Sequence, residues 1–364
     1  MWSLTNSITN RQMFFILILT LTSYTSIDFP KVIAEMAGRS GWMLILATGL
    51  IFGLAAAMIA ALNNRYQGKV MFDYSQEIAG KFVSRAIAIY YLVYFILVGV
   101  YLKVRLVNFL ASNFLPHTSL KVMLAVSVGL FALVSFRGIT NVARLFELYG
   151  AMFLFTTIGI CLVMLPQGMI YNILPFYNPN EVKQFMQAIP QLPFPFGGIE
   201  VLLIIPFSKN NKKSPLYAFL TLVFIGFLYV LIVESTISIL GINNTILYSD
   251  AFIEAIKVVT LPIIERTDIF YLTVGLTSLF SGMIMVFLAV LEYACRLFPK
   301  VKRASMTLIV AGVLYALCAA ALNVEYFPKM MEEASPYTVT VSAILLPAAL
   351  LVLSILKGGQ GRAS

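Results

Sequence analysis

Long apolar segments alternate with short polar ones along nearly the whole chain. A helix needs roughly 20 apolar residues to cross about 30 Å of hydrocarbon. Ten segments reach or approach that length, at residues 13–34, 42–62, 87–110, 122–136, 145–165, 190–207, 216–240, 269–297, 308–322 and 338–356. The first continues past Pro30 without a small-residue cleavage site, so it is interpreted as a span and not as a signal peptide. The pattern predicts an all-α membrane protein with about ten transmembrane helices, nine or eleven being the alternatives.

The composition excludes most soluble and catalytic classes. Hydrophobic residues make up 60% of the 364 positions and charged residues 11%, whereas soluble domains carry about 25% charged residues. The three cysteines lie in apolar segments and the single histidine, His117, lies in a short loop. These residues form no disulfide framework, zinc spacing or Cys–His pair. We therefore expect a protein that is not an enzyme and that uses no metal or cofactor.

The basic residues predict an orientation. If both termini are cytoplasmic, 16 of the 25 Lys and Arg residues lie in inside segments. The others are assigned to the outer side: Lys31, Arg39, Lys103, Arg105, Lys121, Lys183, Lys257, Arg266 and Lys329. Because cytoplasmic loops carry an excess of basic residues, both termini are predicted to be cytoplasmic. The same bias explains the net charge of +9 without a nucleic-acid partner.

Two apolar segments contain residues that interrupt a helix. The first carries hydroxyl side chains ahead of Asp28 and Pro30. The sixth carries prolines and glycines ahead of Glu200, at Pro190, Pro193, Pro195, Gly197 and Gly198. Proline removes an amide donor, and an unsatisfied backbone group in hydrocarbon costs several kcal/mol. Broken spans are therefore expected where they line a wet cavity enclosed by protein.

The positions of the breaks suggest an internal repeat. They open two sets of five spans, at about residues 11–165 and 190–356, within a single domain over residues 1–364. Because five is odd, the second set enters the membrane from the opposite side, as in inverted-repeat transporters with a midplane binding site. The alternative is that both breaks are proline kinks that serve packing alone.

A family resemblance follows from the sixth segment. Residues 196–207 read Phe-Gly-Gly-Ile-Glu-Val-Leu-Leu-Ile-Ile-Pro-Phe and are followed by Lys209, Lys212 and Lys213. This motif resembles the sixth-helix signature of the spore germination permeases, the B subunits of GerA-type germinant receptors in the amino acid–polyamine–cation superfamily. Residues 8–12, 38–42 and 264–268 are also similar to segments of that family.

The resemblance implies a LeuT-like fold with broken first and sixth helices. It implies a sensor in the spore inner membrane that binds a small germinant such as an amino acid. Its partners would be an A-type subunit and a lipoprotein C-type subunit, and its pocket would lie between the first, third, sixth and eighth spans. The competing interpretation is a secondary transporter that moves an amino acid together with a proton or sodium ion.

The candidate site residues come from these four spans. The predicted ligand-binding residues are Ser23, Thr25, Ser26, Asp28, Tyr94, Val98, Phe196, Gly197, Gly198, Thr277, Ser278, Ser281 and Gly282. Some family members have glycine-rich steps where this chain has Ser23, Thr25 and Ser26, so a more polar pocket is expected. Glu200 is interpreted as a gating or structural acid, because intramembrane acids are costly and mark functional sites.

Each candidate has a structural alternative. Asp28 is interpreted first as a cap for a helix that restarts at Pro30. The second interpretation is that it occupies the place of a substrate carboxylate or attracts a ligand's amino group. Tyr94 belongs to a third-span tyrosine face, a pattern that also serves packing. The small residues of the eighth span serve close helix packing or offer hydroxyls to a ligand or cation. These alternatives stay open.

Charged residues outside the candidate site give three further expectations. Residues 250–263 form an amphipathic pattern with Phe252 and Ile256 on its apolar face, typical of an interfacial helix or of a cap on the bundle. Glu234 lies inside the seventh segment with no assignable partner. Glu292 is expected to pair with Arg296, four residues further on.

Overall fold

A computed structural model describes residues 8–25, 28–175, 196–207, 212–259 and 267–357. The described chain is helical, and it contains no β-strand beyond an isolated bridge between Ile8 and Phe207. The helices are α1 (Asn10–Thr25), α2 (Phe29–Ala37), α3 (Gly41–Arg65), α4 (Met71–Asn113), α5 (Leu120–Phe136), α6 (Ile139–Gln167), α7 (Ile170–Ile173), α8 (Ser214–Leu247), α9 (Ala251–Val258), α10 (Thr267–Leu297), α11 (Arg303–Ala321), α12 (Phe327–Val339) and α13 (Leu346–Leu356).

The helices correspond to the predicted spans. The first span consists of α1 and α2, and the second to fifth spans are α3 to α6 in order. The seventh, eighth and ninth spans are α8, α10 and α11, and the tenth is α12 and α13 joined by a π-helical segment, Thr340–Leu345. Seven helical segments are long and apolar enough to cross a membrane, and Leu120–Phe136 is a shorter apolar helix. The described part of the sixth span is a 3₁₀ helix, Ile199–Ile204, with a non-helical end.

Burial separates interior spans from lipid-facing ones. The most apolar window of the eighth span is 78% buried, whereas that of the ninth is 33% buried. Large apolar side chains such as Leu133, Phe155 and Leu308 lie exposed on the fourth, fifth and ninth spans. Since lipid solvates such side chains, these faces line the perimeter. The residues Leu17, Leu19 and other apolar side chains of α1 are fully buried, so the first span lies inside the bundle.

Several spans are joined to one another at one end of the bundle. Gly80, with φ +84°, kinks α4 and separates a short helical segment, residues 71–79, from the third span. This segment contacts two distant spans. Asp73 pairs with Arg296 at 2.5 Å, and Lys357 donates to the Ile78 carbonyl at 2.5 Å. The third, eighth and tenth spans are thereby joined at one end.

The end of the sixth span lies beside the start of the first. Besides the Ile8–Phe207 bridge, the Gly68 amide donates to the Phe207 carbonyl at 3.2 Å. Asn63 Nδ2 donates to the Leu202 carbonyl at 2.7 Å. These bonds satisfy the backbone where the sixth span is not α-helical.

Two expectations about charged segments can be compared with the structure. Helix α9 buries Phe252 and Ile256 against the bundle, which favours the capping interpretation. Lys103 and Arg105 are not loop residues, because both lie within α4 and Lys103 is 1% exposed. Their assignment to the outer surface was wrong. Without these two residues, the predicted outer segments carry fewer basic residues, and the excess in the predicted cytoplasmic segments is larger.

Candidate functional site

The first span is interrupted next to the eighth. Helix α1 ends at Thr25 and α2 begins at Phe29. Just before the break, Thr22 Oγ1 and Ser278 Oγ lie 2.6 Å apart, and both side chains are buried. Thr22 Oγ1 also donates to the Ile18 carbonyl at 2.7 Å. A hydroxyl pair therefore joins the first and eighth spans just before the break.

The first and eighth spans also approach closely at Gly282. A Cβ added to Gly282 would lie 1.6 Å from Ser23 Oγ and 2.4 Å from Ser23 Cβ. No side chain fits there without movement of α1 or α10. Thr277 and Ser281 donate to carbonyls of their own helix, at 2.5 and 2.6 Å. Of the predicted hydroxyl patch, Ser278 thus contacts the first span, and Gly282 permits the approach.

The sixth-span break is built around a buried carboxylate. Gly198 adopts φ +108°, a conformation that side-chain-bearing residues rarely adopt. Glu200 is fully buried, and its Oε2 accepts the Gly198 amide at 2.7 Å. Its Oε1 accepts the Tyr94 hydroxyl and the Ser342 hydroxyl, each at 3.0 Å. The carboxylate therefore satisfies a backbone amide freed by the break and joins the third, sixth and tenth spans.

The tenth span contributes through its π-helical segment. In this segment the Leu346 amide donates to the Val341 carbonyl, five residues back. Pro347 has no amide to continue the pattern to Ser342. The Ser342 carbonyl instead accepts the Tyr91 hydroxyl at 2.6 Å. Sequence reasoning missed Ser342 and Tyr91, although a proline five residues after a serine inside an apolar segment was a usable signal.

The two breaks meet at Tyr229 of the seventh span. Its ring lies 4.6 Å from the Phe29 ring and 5.4 Å from the Phe196 ring, between ring centroids. Phe29 opens α2, and Phe196 precedes the glycine pair of the sixth span. Phe196 is fully buried and also stacks on Phe52. The predicted proximity of the two interrupted spans is therefore present among the described residues.

A small cavity lies against the first-span break. It is lined by Thr22, Phe29, Pro30, Phe153, Tyr229, Ile232, Phe252 and Tyr271. About 10 Å³ is open to the centre of a water-sized sphere, which is room for about one water molecule. The first and eighth spans contribute as expected, and the fifth and seventh spans and α9 contribute in place of the third and sixth.

Asp28 pairs with a residue of the third span. It occupies the position before α2, but its side chain makes no capping hydrogen bond, so the cap interpretation was wrong. Its Oδ2 lies 2.7 Å from Arg105 Nη2. Arg105 Nη1 donates to the Tyr101 hydroxyl at 3.0 Å, and that hydroxyl donates to Glu332 at 3.1 Å. A chain of polar contacts thus runs from the first span through the third to the tenth.

The remaining candidates occupy different settings. Val98 is buried on the third span, and Gly197 lies in the turn before Gly198. Ser26 and the side chain of Thr25 lie outside the described residues. Lys103, which the sequence placed outside the bundle, has its Nζ 4.9 Å from the centroid of the Phe131 ring.

Comparison with known proteins decides the family. A family profile described as spore germination protein matches residues 7–325. This chain belongs to the spore germination protein family. Among curated members, Spore germination protein YndE of Bacillus subtilis (strain 168) is 24% identical, covering 97% of this chain and 98% of its own length. Spore germination protein B2 of the same organism is 23% identical over 92% and 89%.

The fold comparison agrees with the family. The structure matches MhsT, solved in complex with L-phenylalanine, with a TM-score of 0.66 and 11% identity over 94% of this chain and 88% of that chain. MhsT has the LeuT fold, so the predicted all-α LeuT-like architecture is confirmed. This member of the spore germination protein family is an integral membrane protein of transporter-like fold.

Proposed function

We propose that this chain is the ligand-sensing membrane subunit of a spore germinant receptor. It binds a small germinant, an amino acid in our proposal, beside the two interrupted spans and triggers germination. It acts in the spore inner membrane, with cytoplasmic termini, together with A-type and lipoprotein C-type subunits. The family supports a role in germination, and the fold supports a binding site of transporter type.

The observation that carries the proposal is the meeting of the two breaks at Tyr229. The break of the first span borders a cavity, and a ring contact connects Tyr229 to the start of the sixth-span break. Phe29 and Tyr229 both line this cavity, and Tyr229 also packs on Phe196, so a ligand that displaces Tyr229 acts on both breaks. Binding then favours one arrangement of the two spans through its differential affinity.

The predicted residues take different parts in this proposal. Ser23, Thr25, Ser26, Asp28, Thr277, Ser278, Ser281 and Gly282 surround the ligand from the first and eighth spans, and Tyr94, Val98, Phe196, Gly197 and Gly198 transmit its presence. Glu200 is the structural acid of the proposal because its buried carboxylate joins three spans by accepting from Gly198, Tyr94 and Ser342. Removal of its carboxylate is expected to destabilise the folded receptor and not only to lower its affinity for the ligand.

The second candidate function is ion-coupled amino-acid transport. The match to MhsT over 94% of this chain supports it, because an alternating bundle with a binding site can transport a substrate as well as sense it. In that case the hydroxyl groups of the first and eighth spans or Glu200 would serve ion coupling. Transport requires net movement of substrate, whereas sensing does not.

The test uses spores in which the receptor containing this chain is the sole germinant receptor. A panel of amino acids, sugars and nucleosides is applied, and release of dipicolinic acid is measured. We expect release with at least one compound and none after deletion of the gene for this chain. Equal release from the deletion spores over the whole panel would refute the sensing role. Uptake of that compound by proteoliposomes containing the isolated chain would establish transport instead.

A further inference from the structure

One buried acid takes no part in either helix break. Glu234 lies in α8, on the seventh span, and is the single charged residue of that helix. Both of its carboxylate oxygens are buried, and neither has a hydrogen-bond partner in the described part of the chain. The Glu200 carboxylate, in contrast, accepts hydrogen bonds from three groups. Because intramembrane acids are costly and mark functional sites, Glu234 requires a separate explanation.

A short segment of the chain lies against the helix face that carries Glu234. Residues 168–173, the cover segment, comprise the turn after the fifth span and α7. The Met169 amide and Asn172 Nδ2 both donate to the Ser238 carbonyl, at 2.8 and 2.9 Å. Ser238 follows Glu234 by four residues, so both lie on one face of α8. The cover segment therefore packs one helical turn from the carboxyl group.

The cover segment fits closely against the seventh span. A Cβ added to Gly168 would lie 2.2 Å from Ser238 Oγ and 2.6 Å from Ser238 Cβ. A side chain at Gly168 would therefore push the cover segment and α8 apart. Together with the burial of both Glu234 oxygens, this contact indicates that the carboxyl group is sealed from water in this arrangement.

No described charge compensates the Glu234 carboxyl group. The seventh span packs against α1, α2, α3, α6, α7 and α9. The charged and titratable side chains described on these helices are Arg11, Lys31, Glu35, Arg65, Arg144, Glu147, Tyr149, Cys161, Tyr171, Glu254 and Lys257. None of them forms a hydrogen bond with Glu234. The described surroundings of the carboxyl group therefore supply neither a donor nor a counter-charge.

We propose that Glu234 is a proton-binding site, which holds a proton while the cover segment lies on the seventh span and releases it when the segment lifts. An ionised carboxylate without donors or a counter-charge is very costly in a medium of low dielectric constant, and a carboxyl group in that setting binds a proton instead. Once water reaches the group, the ionised form is solvated and the proton passes to that water. A divalent cation fits less well, because it takes about six oxygen ligands and the described residues contain no cluster of three metal-ligating side chains.

The position of Glu234 connects this proton to the two breaks. Glu234 follows Tyr229 by five residues on α8, and Tyr229 contacts Phe29 and Phe196. Because so short a stretch of helix moves as a unit, a displacement of Tyr229 also acts on the contact with the cover segment. The inference goes beyond the proposed function, since it adds a proton to sensing and to transport alike. For transport, it gives the coupling ion to Glu234 in place of Glu200 or the hydroxyl groups.

The first measurement determines whether Glu234 holds a proton. Infrared spectra of the full chain in nanodiscs are recorded at neutral pH, and the C=O stretching band of protonated carboxyl groups is compared between variants. We expect the wild type to show a component of this band that Glu234→Gln lacks. Glu254→Gln is the control, because that carboxylate pairs with Lys257 at 2.5 Å, and its spectrum should match the wild type. Identical bands in the wild type and Glu234→Gln would refute the proton site.

The second measurement tests the link to the cover segment. In Gly168→Ala the new Cβ displaces the cover segment, so water reaches the carboxyl group. The Glu234 component of the band should fall severalfold at neutral pH and return only near about pH 4, where a solvated glutamic acid is half protonated. Gly159→Ala, the same substitution on the fifth span, is the matched control, because nothing lies within 4 Å of a Cβ there. Its band should match the wild type.

A milder variant decides the test if Gly168→Ala does not fold. Asn172→Ala removes only the 2.9 Å hydrogen bond to the Ser238 carbonyl, and a smaller fall of the same band is expected. The unfolding midpoint identifies the folded variants. A full Glu234 band in every folded cover-segment variant would show that the proton is fixed, which refutes its release. Neither measurement uses a germinant, so the proton site can fail while the spore test supports sensing, and sensing can fail while the proton site stands.

Discussion

The two helix breaks satisfy their polar groups in opposite ways. At the sixth span, the Glu200 carboxylate accepts from Gly198, Tyr94 and Ser342 and is fully buried. At the first span, Thr22 forms a hydroxyl pair with Ser278 and lines a cavity, and Asp28 forms an ion pair with Arg105. A carboxylate oxygen of Asp28 has no partner within the described residues.

This difference predicts that the sixth-span break is a structural junction and that the first-span break is a ligand-binding element. A fully satisfied buried network rigidifies one arrangement, so the sixth break is expected to determine fold stability. The first break retains bonding capacity beside an open space, so it is expected to determine the response to a ligand. Substitutions at the two breaks should therefore separate stability from response.

The largest effect is expected from Glu200→Ala. It removes the carboxylate that accepts from the Gly198 amide and the Tyr94 hydroxyl, and a buried polar group that loses its partner costs about 1–3 kcal/mol. The Ser342 hydroxyl keeps the Thr338 carbonyl as an acceptor at 2.8 Å. We expect a loss of about 3 kcal/mol or more in the free energy of unfolding. The measurement is the thermal unfolding midpoint of the purified protein in detergent.

A matched variant sharpens this prediction. Glu200→Gln retains an oxygen for Tyr94 and Ser342 and places an amide nitrogen toward the Gly198 N–H. Its loss should be smaller, about 1–2 kcal/mol, and germination should fall in the same order. A Glu200→Ala protein with the wild-type midpoint would show that the sixth break is not the structural junction.

The next effect is expected at the contact of the first and eighth spans. In Gly282→Ala the new Cβ would lie 1.6 Å from Ser23 Oγ, and overpacking of this kind costs about 1–3 kcal/mol. Ser23→Gly in the same chain removes the opposing atoms and should restore most of the unfolding midpoint. Gly312→Ala is the control, because nothing lies within 4 Å of a Cβ there. Equal losses at Gly282 and Gly312 would contradict the close approach.

The spans and breaks could be predicted because they depend on local composition. Apolar length is set by the thickness of hydrocarbon, and proline and glycine weaken a helix wherever they lie. Glu200 stood out for the same reason, as an acid inside an apolar segment. These features need no knowledge of which helices are neighbours.

The partners of the polar side chains could not be predicted in this way. A span that is apolar on all sides gives no sign of which face meets which neighbour. Glu292 was expected to pair with Arg296, but it pairs with Arg303 at 2.8 Å while Arg296 contacts Asp73. Local spacing therefore failed wherever tertiary packing supplied a distant partner.

The smallest stability effect is expected from Thr22→Val and Ser278→Ala. Each removes a hydroxyl of the 2.6 Å pair at nearly constant volume, and hydrogen bonds between membrane helices average about 0.6 kcal/mol. The unfolding midpoint should hardly change, and the two substitutions combined in one chain should cost less than the sum of the single losses.

Thr22 also lines the cavity, so the concentration of germinant needed for half-maximal dipicolinate release should still rise severalfold in Thr22→Val spores. Control spores carrying Thr307→Val, a substitution on the ninth span whose hydroxyl bonds its own helix at 2.9 Å, should respond as the wild type. If Thr22→Val instead destabilises the protein as much as Glu200→Ala, both breaks are structural junctions, and the ligand must be sought elsewhere in the bundle.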